Sequence, residues 1–203
     1  MKWYLHPSGQ EFSQWKPQAI ARHLGNVSLP VNEPLAKLSV GSSTLYPLTD
    51  DGPTLEAYEQ VASRSFTVGV DTAVASYTTE NKPLADYKEE RKAEATAKRY
   101  NVETGGVTVS GMTVETSRES QGMIDGAYSL AVRNADTQNF TIDFKTTVGW
   151  VSLTAAQMIA ISEAVGSHIQ AAFKRERALH EAIDAAGTHA AVAAIDITTG
   201  WPS

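Results

Sequence analysis

Apolar and polar residues alternate most regularly in the second half of the chain. Residues 140–144 place Phe, Ile and Phe at every second position, which predicts a half-buried strand, and residues 148–153 predict its antiparallel partner. A second hairpin is predicted over residues 107–114, where two short runs rich in Val flank Ser110-Gly111. This half of the chain is therefore expected to contain two hairpins.

Two helices are predicted in the same half, and each begins at a capping box. Thr116 and Glu119 form the first box, which opens a helix that runs to about residue 134. Thr154 and Gln157 form the second box.

The helix after Thr154 is predicted to cover residues 155–186, with an apolar stripe along one side. At this length it spans roughly 45 Å, which exceeds the width of a small domain. Either Gly166 breaks the helix, or part of the stripe packs on another subunit. Leu179 and Ile183 are therefore candidate interface residues.

The first half of the chain is less regular. Residues 3–12 predict a hairpin around a Pro-Ser-Gly turn, and residues 17–25 predict a short helix that Gly25 ends. Residues 26–53 contain four prolines and predict an irregular or edge-strand region. Residues 61–79 predict a further hairpin with few large apolar side chains, and such strands expose one face or pair with another chain.

A polar stretch that ends at Pro83 predicts a boundary between two parts. We expect a β-rich attachment or interaction part over residues 1–82 and an α+β domain over residues 83–203. A connecting helix at 84–100, with part of one face buried, is expected to begin the second part. The predicted fold class is α+β, with a small C-terminal domain of hairpins and two helices, the last one long.

Composition narrows the functional classes. The net charge is −6, so the chain has no general attraction for nucleic acid or for an anionic membrane surface. No cysteine is present, which excludes disulfides, thiolate metal sites and a cysteine nucleophile. No signal peptide and no apolar stretch near the ~20 residues of a membrane span is found. We expect a soluble protein that is made in the cytoplasm.

Three polar residues of the long helix share one face. Glu176, His180 and Asp184 follow an i, i+4, i+8 spacing, and together they could bind a divalent metal. The alternative is an exposed polar helix face, which we prefer because no second histidine stands at i+4. His168 lies near the apolar stripe and is expected to be a core or interface histidine. We therefore assign no metal site.

The chain contains none of the nucleophile-elbow, Walker, HExxH or Rossmann motifs. Thr104-Gly105-Gly106 could form a phosphate-binding nest, but it follows a helix and is expected to end it. Glu103 and Glu115 flank the first hairpin of this half and could form a paired-carboxylate site, although surface acids are the default interpretation. No catalytic residue and no cofactor site is assigned, and we expect a protein that is not an enzyme.

Aromatic residues are the remaining candidates for ligand contact. They could stack on sugars, such as a host surface glycan, or anchor a core or an interface. Trp3 and Trp201 are added to the candidate interface residues. The full aromatic set considered is Trp3, Trp15, Trp150 and Trp201 with Tyr4, Tyr46, Tyr58 and Tyr77.

Five short runs, in order, carry a resemblance to a known family. They are AKRYNVETGGV from residue 97, VSGMTVET from 109, SRESQ from 117, GWVSLTA from 149 and AAVAAID from 190. With these runs, residues 87–195 resemble the domain of unknown function 4376, which is common in tail-fibre-associated proteins of tailed phages and prophages. That family usually carries Asp where this chain has Ser117, and we expect Thr116 to cap the helix instead.

The resemblance implies a location on a phage tail and supplies no catalytic residues. It suggests a structural part of the virion, such as a tail-fibre or baseplate adaptor that holds a receptor-binding protein. The alternatives are a tail-fibre assembly chaperone and a carbohydrate-binding module. By the same resemblance we expect a homo-oligomer, most often a trimer in such proteins, bound to other tail or fibre proteins.

Overall fold

The fold is α+β, as predicted, with a sheet in the first half and most helices in the second. The computed structural model describes residues 1–25, 27–30, 32–34, 36–146 and 149–203. These residues form two compact units, Met1–Lys82 and Pro83–Ser203. Predictions that fall on Asn26, Val31, Leu35, Thr147 and Val148 lie outside the described residues.

The first unit is built on a sheet whose strands follow the order β2-β1-β4-β6-β5, with β3 paired to β4. Both predicted hairpins and the short helix are confirmed. β4 and β6 run parallel, and the other paired strands run antiparallel. The elements are β1 Lys2–His6, β2 Gln10–Phe12, α1 Pro17–His23, β3 Leu38–Val40, β4 Ser43–Thr49, β5 Glu59–Val68 and β6 Ala73–Asn81.

Strand β4 corrects the prediction of an irregular or edge region over residues 26–53. It lies in the interior of the sheet, although it contains Pro47. On the side of β4 away from β1, β3 pairs with residues up to Leu45 and β6 pairs with residues from Leu48 onward. Pro47 therefore lies in the gap between these two partners. A residue without an N–H is tolerated where the ladder is interrupted, which is why the proline does not exclude a strand here.

Strand β1 is buried on both faces and organises the first unit. Trp3 and Leu5 pack with Ile20 of α1 and Leu45 of β4 on one side. Tyr4 points to the other side and stacks on Phe66 at 4.5 Å between ring centroids. Each fully buried side chain of this size contributes about 1.5–3 kcal/mol to folding, so the short strand β1 joins two cores.

The second unit contains four helices and two hairpins in the described part of the chain. Ser110 and Gly111 both have positive φ, as the predicted two-residue turn requires. Both hairpins are confirmed. The elements are α2 Leu84–Glu103, β7 Val107–Val109, β8 Met112–Val114, α3 Arg118–Arg133, β9 Thr141–Thr146, β10 Gly149–Thr154, α4 Ala155–Ala185 and α5 His189–Ala193.

Helix α4 is continuous and passes through Gly166 without a break. Its first half packs on α3 and the hairpins, and its second half packs along α2. Leu179 is 2% exposed and Ile183 is 0% exposed within the single chain. The expectation that this stripe needs a second subunit is therefore wrong, because α2 covers it.

Helix α2 belongs to the second unit and buries part of one face, as predicted, with its buried side packed on α4. Its buried side chains include Tyr87 and Ala95. They also include Arg99 and Glu103, two charged residues that a sequence pattern assigns to solvent. Because two of its buried positions are charged, the buried face of α2 cannot be recognised from a pattern of apolar residues in the sequence.

The cap of α3 is Ser117, so the prediction of Thr116 with Glu119 is wrong by one residue. The Ser117 hydroxyl accepts a hydrogen bond from the Ser120 N–H at 3.1 Å. Thr116 is fully buried and its hydroxyl accepts from the Gly106 N–H at 2.9 Å. The second capping box, Thr154 with Gln157, is confirmed.

None of the described helices combines the length and apolar character needed to cross a membrane.

Candidate functional site

An open groove in the second unit lies between the first turns of α3 and strand β9. Its volume is about 600 Å³. We call it the α3–β9 groove. It is lined by Glu115, Ser117, Glu119, Ser120, Met123, Ala127, Trp150 and residues 142–146.

The helix wall of the groove follows from where α3 begins. The Ser117 cap fixes the first turn, and Glu119 and Ser120 of this turn line the groove. Met123 and Ala127 follow on the same side of the helix, one and two turns further on. Ile124 and Ala131 are buried and anchor α3 in the core, and Ala127 also packs against this core. The packing of α3 on the core therefore fixes the position of the helix wall of the groove.

The strand wall of the groove follows from the β9–β10 hairpin. Ile142 and Phe144 pack toward the core, whereas Asp143 and Lys145 are exposed. Trp150 is the partner of Lys145 on the exposed face of β10. Residues that point to both faces of β9 therefore line the groove.

Two large apolar side chains of the groove are unusually exposed. Trp150 is 72% exposed and Met123 is 60% exposed. A single exposed apolar residue is ordinary, whereas several that border one depression are a candidate contact surface. A tryptophan beside a flexible methionine is typical of contact surfaces for partners.

The charged groups of the groove have no partners within the described part of the chain. These are three carboxylates, Glu115, Glu119 and Asp143, and one lysine, Lys145. Charged residues of the α2–α4 pair behave differently. Lys92 of α2, for example, contacts Asp184 at 2.5 Å. The groove therefore presents net negative charge that the described residues do not neutralise.

A buried ion cluster lies close to the groove and centres on Glu103, which is 1% exposed. Its carboxylate accepts hydrogen bonds from Arg99, from Arg118 at 3.3 Å and from Gln121 at 3.3 Å. The Arg99 Nε also donates to Glu176 at 3.0 Å. Because every charge here is paired, we assign the cluster a structural role. The interpretation of Glu103 as a surface acid is wrong.

Glu103 and Glu115, which could have formed a paired-carboxylate site, occupy different environments. Glu103 is committed to the ion cluster, and Glu115 is exposed at the groove. The helix-stop interpretation of Thr104-Gly105-Gly106 is confirmed, because α2 ends at Glu103 with Thr104 as its C-cap.

The three polar residues of α4 that could have bound a metal face α2. Glu176 pairs with Arg99, Asp184 pairs with Lys92, and the His180 Nε2 lies 3.2 Å from the Lys92 carbonyl oxygen. The interpretation as an exposed polar face is confirmed for Asp184, whose side chain is 59% exposed, and is wrong for Glu176, whose side chain is 13% exposed. Within the described ranges, no three His, Cys, Asp or Glu side chains are arranged to hold a metal ion.

His168 is buried, and its Nε2 lies 3.0 Å from the Val102 carbonyl oxygen, as expected of a core histidine. Trp3 is fully buried in the first unit and donates to Glu33 at 2.8 Å, so it presents no surface to a partner. Trp201 is half-buried and donates to the Ile197 carbonyl at 2.9 Å within the C-terminal tail, and Arg175 of α4 docks this tail by donating to the Thr199 carbonyl at 3.2 Å.

The sequence did not single out the groove, although it contains the signals. Trp150 occupies an outward position of an alternating strand, and Met123 occupies an outward position of α3. Each residue by itself is an ordinary surface residue. Only the fold shows that they border the same depression.

Comparisons with known proteins give one match and two negative results. A family model described as Domain of unknown function (DUF4376) matches residues 86–199, which is more than half of the chain and includes every residue of the α3–β9 groove. No curated protein and no solved structure matches the chain. Because this match covers more than half of the chain, including both hairpins of the second unit, the chain belongs to the DUF4376 family.

Proposed function

We propose that this chain is a structural, non-enzymatic protein of a phage tail, in which the α3–β9 groove holds another tail protein. The observation that carries the proposal is the exposure of Trp150 and Met123 beside unpaired carboxylates. Covering these two side chains with a partner removes apolar area from water, which favours association by about 25 cal/mol per Å² before the costs of binding.

The location on the tail is supported by resemblance only. Residues 87–195 resemble a domain of tail-fibre-associated proteins, and the groove lies inside this region. An adaptor needs a rigid binding surface, and the groove has one because α3 and β9 both pack on the same core. We therefore prefer an adaptor for a receptor-binding protein, with an assembly chaperone as the alternative.

Mass spectrometry of purified virions tests the location. We expect the chain in particles at a fixed ratio to the fibre protein. Its presence in lysates of producing cells but not in particles would support the chaperone instead. Its absence from both particles and fibre complexes would contradict any role in the tail.

A matched pair of variants tests the groove. We expect Met123→Ala to reduce incorporation into particles or fibre complexes. Leu130→Ala should leave it unchanged, because Leu130 is also exposed on α3 but does not line the groove. Equal effects of both substitutions would contradict a role of the groove.

A carbohydrate-binding role is the second candidate, and Trp150 is the observation that favours it. Carboxylates and the hydroxyls of Ser117 and Ser120 line the same groove as this exposed ring. The carboxylates could accept hydrogen bonds from a sugar, and the hydroxyls could donate or accept them. Binding to a glycan array that is lost in Trp150→Ala would support this candidate over the adaptor.

We also propose a homo-oligomer, with a trimer as the state implied by resemblance. Support comes from the first unit, where β5 is an outer strand of the sheet and leaves one edge without a partner among the described strands. Such an edge is a template for pairing with another chain. Light scattering of the purified protein should give the mass of a trimer, and a stable monomer at micromolar concentration would contradict it.

A further inference from the structure

The α3–β9 groove runs along the edge of a strand. Five consecutive residues of β9, 142–146, line it. Successive side chains of a strand point to opposite faces, so a depression on one face would be lined by every second residue. A depression bordered by all five must lie beside the strand, where the backbone itself is accessible.

The backbone groups at this edge can be assigned. Thr146 pairs with Gly149, and only two residues separate them, so their backbone groups face each other. Because the pattern alternates, Phe144 also faces β10, and the N–H and C=O groups of Asp143 and Lys145 face the groove. In the described part of the chain β9 pairs only with β10, so these groups have no strand partner.

The opposite wall supplies contacts for side chains. Met123 and Ala127 of α3 face the edge of β9 across the groove, and Trp150 borders it from the exposed face of β10. The volume of about 600 Å³ is within the roughly 300–1,000 Å³ that binding pockets occupy. A chain lying between these walls could satisfy the β9 backbone and bury both exposed apolar residues.

The charges of the groove define the chemistry of the occupant. Glu115, Glu119 and Asp143 are acidic and lack partners among the described residues, against one lysine, Lys145. An extended segment with alternating apolar and basic residues matches this distribution, because one set of side chains enters the groove and the other meets the carboxylates.

We infer that the α3–β9 groove binds an extended, basic segment of a partner protein, which adds to β9 as a third strand. The inference rests on the proposed role of the groove in binding a protein. It does not depend on the location of the chain in a phage tail.

A peptide selection on the full-length protein tests this inference. The probe is a yeast-displayed library of random linear peptides. We expect the selected peptides to alternate apolar residues with Lys or Arg. On binding, the Asp143 and Lys145 amides should show slower hydrogen exchange, because a third strand would pair with them.

Two substitutions at one position separate backbone pairing from side-chain contact. Asp143→Pro removes an outward N–H that the β9–β10 ladder does not use, whereas Asp143→Ala keeps it. We expect Asp143→Pro to weaken binding about tenfold relative to Asp143→Ala, as expected for a lost hydrogen bond that leaves an unpaired acceptor. Circular dichroism and thermal melting verify that both variants fold.

Charge is tested separately, by a variant that leaves the strand intact. Glu119→Lys should reduce binding of the basic peptides several-fold, and added salt should reduce that difference. Failure to select any peptide, peptides without basic residues, or equal binding by the Pro and Ala variants would each overturn the inference. Peptide binding by a chain absent from virions would uphold it and reject the tail location alone.

Discussion

At the residue scale, buried charge is the feature that the sequence hides best. Glu103 has the appearance of an ordinary helix-surface acid, yet it accepts bonds from residues of α2 and α3 and is almost fully buried. Its partners Arg118 and Gln121 lie 15 and 18 residues away in the sequence. No local pattern records such a pairing, which is why it escaped prediction.

The Glu103 cluster yields a stability prediction. Glu103→Ala should lower the free energy of unfolding by about 3 kcal/mol, because it leaves Arg99 buried without its main counter-charge. Glu115→Ala is the matched control, since Glu115 is exposed and unpaired, and it should change stability by less than about 0.5 kcal/mol. Urea denaturation measures both, and similar small effects would show that the cluster contributes little.

The cap of α3 yields a second prediction. Ser117→Ala should destabilise the protein by about 1 kcal/mol, because the Ser120 N–H loses its acceptor. Ser117→Asp should restore most of this loss, since Asp caps well and its charge suits a helix N-terminus. A thermal melt of the three proteins checks the order. Equal stability of the Ala and Asp variants would contradict the assignment of the cap.

The third prediction concerns acid and the first unit. Hydrogen bonds from Lys2 and Tyr77, with the nearby Arg64 guanidinium, lower the pKa of Asp50 to about 2. An unfolded Asp has a pKa of about 3.9. The stabilisation is therefore fully present above about pH 4 and is lost as the pH falls through about 2.

Asp50→Asn should remove this acid dependence. We expect the wild-type unfolding free energy to fall between about pH 4 and pH 2 more steeply than that of the variant. Denaturation followed by Trp fluorescence at several pH values measures the two slopes. Parallel curves would show that Asp50 is not responsible.

At the scale of elements, local signals were predicted best. Thr154 with Gln157 marks the start of α4, and Ser110-Gly111 marks a tight turn, because both depend on neighbouring residues alone. Strand β4 was missed because Pro47 argues against a strand, and only the interruption between β3 and β6 makes the proline acceptable. The sequence cannot show where such an interruption falls.

Helix α4 allows the role of Leu179 to be tested directly. Leu179→Ala should cost about 2–5 kcal/mol, since it leaves a cavity in the contact with α2. The loss should be independent of protein concentration, whereas an intersubunit contact would make the melting temperature rise with concentration. Phe173→Ala, at an exposed position of the same helix, is a control expected to cost less. If the melting temperature depends on concentration in the wild type but not in Leu179→Ala, the residue instead lies at an intersubunit interface.

At the scale of the whole molecule, the division into two units has a direct test. Limited proteolysis should release a stable fragment that begins near Lys82, before α2. Mass spectrometry of the products locates the cut. Cleavage inside α2, or even digestion of both halves, would contradict a second unit that includes this helix.

The candidate site was the least predictable feature of the molecule. Its two walls come from α3 and β9, which are separate elements, and its exposed residues become meaningful only when they border one depression. The fold class and the family region were accessible from the sequence because they depend on patterns along the chain. The groove depends on how those elements pack, which no pattern along one strand or helix encodes.

The pairing of α2 with α4 has a consequence for synthesis. Arg99 and Glu176 are separated by 77 residues, and Lys88 and the Asp184 carbonyl by 96. The ribosome therefore finishes α2 long before it makes the surface that α2 covers. Until the last turns of α4 emerge, the charged residues of α2 that pair with α4, such as Arg99 with Glu176, lack these partners. A stop codon before residue 176 would thus leave α2 without the surface that covers it, even though both hairpins, α3 and the first half of α4 would be complete.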